Sequence, residues 1–143
     1  MRASTIYERG GVLYLHSQSR TTAGVWILSA PAFAVGKEYP DEVGRAICEC
    51  LTASHENVPH PTSFASLVDP VLELAGVRTW RAFAKSAKCV EVETSDDATV
   101  VLSSTRNAGP TEGFIPLPIA TRVPFISGEV LGRAALDALA HCE

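Results

Sequence analysis

The chain is 143 residues long, 46% hydrophobic and 20% charged, with a formal net charge of −4. A single domain of this size hides about two thirds of its unfolded surface, so a second independent core and a disordered tail are both excluded. The acidic balance argues against direct, non-specific binding to nucleic acid, which needs Lys and Arg to neutralise phosphates, and suits a basic protein partner.

The segment Met1–Arg9 carries no apolar run long enough for a signal peptide, and no stretch approaches the length of a membrane span. A cytoplasmic protein without a membrane partner is therefore expected. From Ser4 to Val35 the chain reads as β structure. Gly10-Gly11 separates a first segment from Val12–Ser17, where alternation places Leu13 and Leu15 on one face. A tight turn is expected at Thr21–Gly24. The run Val25–Leu28 is apolar on both faces, which predicts a central strand, and Phe33 with Val35 predicts a further short strand after Pro31.

Helical periodicity begins at Asp41: Val43, Ala46, Ile47, Cys50 and Leu51 share one face, with Glu42, Arg45, Glu49 and Thr52 opposite. Pro59 and Pro61 end it, because each removes a backbone donor and pushes the residue before it out of the α region. Asp69 as N-cap with Pro70 at the first helical position predicts a short helix that Gly76 stops, and Thr79 caps another in which Trp80, Phe83, Ala84 and Ala87 share a face. Both Trp26 and Trp80 are assigned to the core. Val90 and Val92 alternate with Glu91 and Glu93, Ser95–Asp97 turns, and Thr99–Leu102 returns, which describes a hairpin. Gly113–Leu117 reads as an edge strand limited by its prolines. Ser127 is expected to cap a last helix with Val130, Leu131, Ala134, Ala135, Ala138 and Leu139 on its apolar face. The sum is an α/β (α+β) domain over residues 1–143, an antiparallel or mixed sheet of about five to seven strands with helices packed on it.

No combination of residues along the chain meets the geometry of an active site. His55-Glu56 and His60 fail as a zinc-protease helix, since the histidines stand five apart with Pro59 between them. Cys48 and Cys50 point about 160° apart on a helix, and a Cys48–His55 dyad would be stretched over about 10 Å. Cys89 and Cys142 add no disulfide framework, so four reduced thiols are expected. No phosphate cradle, nucleophile elbow, metal set or cofactor motif is read.

One charged feature remains: Glu91, Glu93, Asp96 and Asp97, four carboxylates within seven residues on one face and the tip of the expected hairpin. They are either a solvated hairpin face or a docking surface for Lys and Arg of a partner. Glu42 and Glu49, with Glu56 beyond them, form a competing acidic face on the first helix.

Tyr14-Leu15-His16, Gly24–Ser29, Val58–Thr62, Thr79–Lys85 and Gly113–Leu117, in this order, resemble the bacterial contact-dependent growth inhibition immunity proteins. The resemblance implies a small cytoplasmic protein that binds and neutralises the C-terminal toxin domain of an effector, commonly a nuclease, without catalysis or cofactor. It carries over no contact residues. Two rivals stay open: a small enzyme using His16, His60 or Glu91 in a cleft, and an adaptor subunit that self-associates through β edges.

Overall fold

In the computed structural model, which describes residues 1–143, Gly10 and Gly11 both take positive φ (56° and 82°). That is the requirement of a two-residue hairpin turn, and it joins β1 (Arg2–Arg9) to β2 (Val12–Arg20). Gly24 (φ 81°) then turns the chain into β3 (Trp26–Gly36), and the Thr21 hydroxyl accepts from the backbone N–H of Ala23 and Val25, both at 3.2 Å.

After α1 (Pro40–Ala53), α2 (Asp69–Ala75) and α3 (Trp80–Ala84) come β4 (Lys88–Thr94), β5 (Thr99–Asn107), β6 (Phe114–Pro124) and α4 (Glu129–Ala140). The six strands form one fully antiparallel sheet in the order β3-β2-β1-β4-β5-β6. The two hairpin systems meet where β4 pairs with β1, so the first strand of the chain lies in the middle of the sheet.

Each face of the sheet collects its own core because side chains alternate along a strand. On one face α1 lies over β1–β3 and α4 over β4–β6. Ile6, Leu13, Leu15, Val90, Val92, Val100 and Leu102 of the sheet meet Val43, Ile47 and Leu51 of α1 and Leu131, Ala135 and Leu139 of α4. Burying each of the larger of these side chains contributes about 1.5–3 kcal/mol. The two helices cross at glycines: a Cβ on Gly44 would fall on the Gly128 carbonyl, and one on Gly132 on the Pro40 carbonyl.

The opposite face is covered on one side only. There α2 packs over β2 and β3, and α3 brings Phe83 onto Tyr7 and Tyr14, with ring centroids at 5.4 and 5.5 Å. Thr79 caps α3 by accepting from Ala82 N–H at 3.1 Å, and Gly76 ends α2 in the left-handed conformation (φ 69°). The β4–β6 half of this face is left open by the helices, except where the end of α3 reaches β5 and Phe114 of β6.

Several sequence expectations are corrected, among them the Asp69 cap: Val68 holds the cap position of α2 and Asp69 is already helical. Val25–Leu28 belongs to an edge strand, half-buried at best, and β3 runs on through Pro31 as one strand; Ala30 and Pro31 bulge out of register between Ser17↔Ser29 and His16↔Ala32. The edge accommodates a proline that a central strand would not. Trp26 and Trp80 are both only partly buried. Ser127 does not cap α4: Gly128 occupies the cap position, without a side-chain bond. Val130 is 69% exposed, although its neighbour Leu131 in the same first turn of α4 is fully buried, so the buried stripe is narrower than the apolar one.

Candidate protein-docking face

The uncovered half-face is built from strand register. Residues directly opposite each other in an antiparallel pair share a face. Thr5↔Glu91↔Ser103↔Ala120 makes one row across β1, β4, β5 and β6, and Ala3↔Glu93↔Val101↔Arg122 makes the next. Glu91 and Glu93 stand exposed from these rows while Val90 and Val92, pointing the other way, fill the core. No cation lies within ion-pair distance of either carboxylate. The Glu91 carboxyl is pushed above the usual range, first by burial among its neighbours and then by repulsion from Glu93.

The other carboxylates have local work. Asp96 Oδ1 accepts from the N–H groups of Ala98 (2.9 Å) and Thr99 (2.8 Å), which holds the β4–β5 turn and pulls its pKa down, the Thr99 bond contributing most. Asp97, at φ 57°, takes Arg2 Nε at 3.0 Å. Glu56, beyond the end of α1, binds the Met1 amino group at 3.1 Å and Arg20 at 3.5 Å, and the amino terminus lowers its pKa. Glu42 and Glu49 are exposed on the outer side of α1, with Arg45 exposed between them in the sequence. The structure thus brings Glu91 and Glu93 together as free charge, ties Asp96 and Asp97 to the turn beside them, and sets Glu42 and Glu49 apart on α1.

Of the residues read as enzyme candidates, His16 and Glu91 share a cross-strand row on either side of Thr5, and His60 stands in the loop after α1. His16 is 2% exposed; its Nδ1–H donates to the Ser17 carbonyl at 2.8 Å, and burial lowers its pKa to about 4. His60 is bonded through Nδ1 to the Thr21 hydroxyl at 2.9 Å in the loop after α1. Cys50 is buried, its thiol pushed up to about 12, and all four cysteines are free. No three His, Cys, Asp or Glu side chains converge as metal ligands would, and no helix is long and apolar enough to cross a membrane.

Between α3 and the loop joining β5 to β6 lies a cavity of about 370 Å³, walled by Trp80, Ala84, Pro110 and Phe114 and edged by Arg81 and Lys85. Its lining contains no histidine, carboxylate, hydroxyl or thiol side chain. The reading of the sequence passed over it, although a signal was there: Arg78, Arg81, Lys85 and Lys88 fall in a stretch between Glu73 and Glu91 that has no acid.

The architecture itself has known counterparts. A chain of the CdiA-CT/CdiI toxin and immunity complex from Yersinia pseudotuberculosis superposes with a TM-score of 0.77 at 12% identity, over 99% of this chain and 97% of that one. The likeness is one of fold. A Neisseria meningitidis protein of unknown function is similar at a TM-score of 0.80 and 14% identity, over 99% of this chain and 95% of its own. No protein-family model and no curated protein matches the sequence. Both structural likenesses run over nearly the whole of each chain.

Proposed function

We propose that this chain is an immunity protein, a stoichiometric inhibitor that binds and neutralises the C-terminal toxin domain of a contact-dependent growth inhibition effector. The observation that carries the reading is the full-length likeness to a chain of the CdiA-CT/CdiI complex. The chemistry of the open half-face supports it. A nuclease toxin attracts its polyanionic substrate through basic groups, and carboxylates held on a rigid sheet match such a surface. Glu91 and Glu93 steer and orient the partner, Asp96 and Asp97 sit at the rim, and Glu42 and Glu49 face elsewhere. Neutralisation is by occlusion in the cytoplasm, with no reaction and no cofactor, and the interface buries about 1,200 Å² or more in total.

The test takes the toxin domain encoded immediately upstream of this gene and measures binding, growth rescue and association rate. For E91K/E93K, each reversed charge facing a cation about 7 Å away changes the interaction by about 0.5 kcal/mol after screening at physiological salt, so about 1 kcal/mol in all. That corresponds to association slowed about fivefold and a flatter salt dependence. Absence of binding refutes the toxin-partner reading; binding with unchanged kinetics removes the two glutamates from the interface.

A further inference from the structure

The cavity beside α3 is a preformed pocket in a setting unlike the rest of the molecule. Its walls are fixed: Asn107 Nδ2 donates to the carbonyls of Ala84 (2.8 Å) and Ala87 (3.0 Å), fastening the end of α3 to β5. The loop opposite is closed by Ala108 N–H to Gly113 O and Gly113 N–H to Gly109 O, both 2.8 Å. Trp80 stacks on Phe83 at 5.1 Å, and Phe114 leans on Tyr7 at 5.7 Å, so both aromatic walls are held from behind. Arg81 and Lys85, one helical turn apart, stand exposed at its edge, and neither forms an ion pair. Arg78 and Lys88 extend the same basic stretch. Arg9 adds a further cation over the Phe83 ring at 5.1 Å, its Nε buried without an acceptor.

An apolar floor with an unpaired basic edge recognises an apolar side chain adjoining a carboxylate. We infer that this cavity receives an acidic segment of the protein partner, a Glu or Asp next to a large apolar residue, and that it forms the second half of the docking surface. This deepens the toxin-binding reading and rests on it. The two halves lie on one face of the sheet: Asn107, lining the cavity, is four residues from Ser103, the neighbour of Glu91, about 13 Å along β5. Both therefore fit inside one standard interface, and patches of opposite charge that close together fix a single orientation of the partner. A nucleic acid strand suits the site less well, because its phosphate backbone would have to run past Glu91 and Glu93.

Trp80 gives a direct readout. In a Trp26→Phe background it is the sole tryptophan. Its emission is titrated with a blocked Phe-Glu-Asp-Leu tetrapeptide, with the amide counterpart Phe-Gln-Asn-Leu, and with a short oligouridylate. The acidic peptide is expected to shift the emission at least fivefold more tightly than the amide peptide, and R81E/K85E, two exposed positions whose folding is checked by circular dichroism, is expected to abolish the difference. Equal response to both peptides, tighter binding of the oligouridylate, or no response overturns the assignment. With the toxin domain, R81E/K85E is expected to lose at least tenfold in affinity. Unchanged affinity overturns this inference while leaving the toxin partnership standing. Failure of the unmodified protein to bind the toxin domain overturns the partnership, and the peptide titration then decides the cavity by itself.

Discussion

His16 offers a test of whether the interior is as dry as its packing indicates. Its ring lies in the sheet between β1 and β3, 5.7 Å from the Tyr7 ring, and has no acidic partner to stabilise a positive charge. Burial alone depresses its pKa, with the Ser17 carbonyl opposing weakly. In the window between the folded and unfolded values the folded state binds fewer protons than the unfolded state, so stability rises with pH across it. The contribution is fully present above the unfolded value and is lost as pH falls through the folded one. A folded value of about 4 against an unfolded value of about 6.5 removes about 2 kcal/mol at pH ~5 and about 3 kcal/mol below pH ~4. Urea denaturation of the native protein and of His16→Asn, which keeps a donor for Ser17 and cannot titrate, isolates this effect. Glu91, whose raised pKa gives the opposite slope, cancels between the two proteins, as do the depressed carboxyls of Asp96 and Glu56. The native protein should lose about 2 kcal/mol more than the variant between about pH 7.5 and pH 5. Equal losses, or an imidazole titrating near its ordinary value by NMR, would refute the argument and return His16 to the accessible groups from which a general base is drawn.

Two further predictions concern the supports of the candidate interface. Gly132→Ala sets a methyl group against the Pro40 carbonyl where α4 crosses α1, and should cost about 1–3 kcal/mol in chemical denaturation, with Gly44→Ala behaving alike against Gly128. Thr79→Ala removes the acceptor for Ala82 N–H and should cost about 1 kcal/mol, with the emission of Trp80 changing before global unfolding because α3 loosens first.

The local code of the chain was open to reading where one residue type has one physical use. Gly10-Gly11 and Gly24 marked turns, Gly76 stopped a helix, Thr79 capped one, and the alternation of Val90 and Val92 with Glu91 and Glu93 separated core from solvent. What depended on tertiary arrangement was hidden. Val25–Leu28 carries the composition of a buried strand, yet lies at an edge, because position in a sheet is decided by which strands pair, and the pairing of β1 with β4 spans more than half the chain. Val130 fits the helical period of its neighbours but projects outward while Leu131 beside it is buried, since periodicity assigns a stripe without fixing its width. The acidic residues show the same limit: four clustered in sequence, but only Glu91 and Glu93 are left without local partners, a distinction made by Arg2 and by the turn amides.

The geometry also weighs the rival of self-association through sheet edges. One edge strand, β6, carries Pro116, Pro118 and Pro124, and the other, β3, carries Pro31 at its bulge. Each proline removes a donor that an added strand would need. One broad face of the sheet is closed by α1 and α4, and the outer side of α1 alternates Glu42, Arg45 and Glu49, which gives no single sign of charge. The remaining sheet surface is the half-face of β4–β6 with the basic cavity at its end. Two features there form no ion pair within the fold: the carboxylates of Glu91 and Glu93, and the cations of Arg81 and Lys85 beside an apolar hollow. Folding stability would be served better by pairing such charges with one another. Keeping them apart on one rigid surface makes sense where a second molecule supplies both counter-charges at once, which is the arrangement an inhibitor needs to hold its target in one orientation.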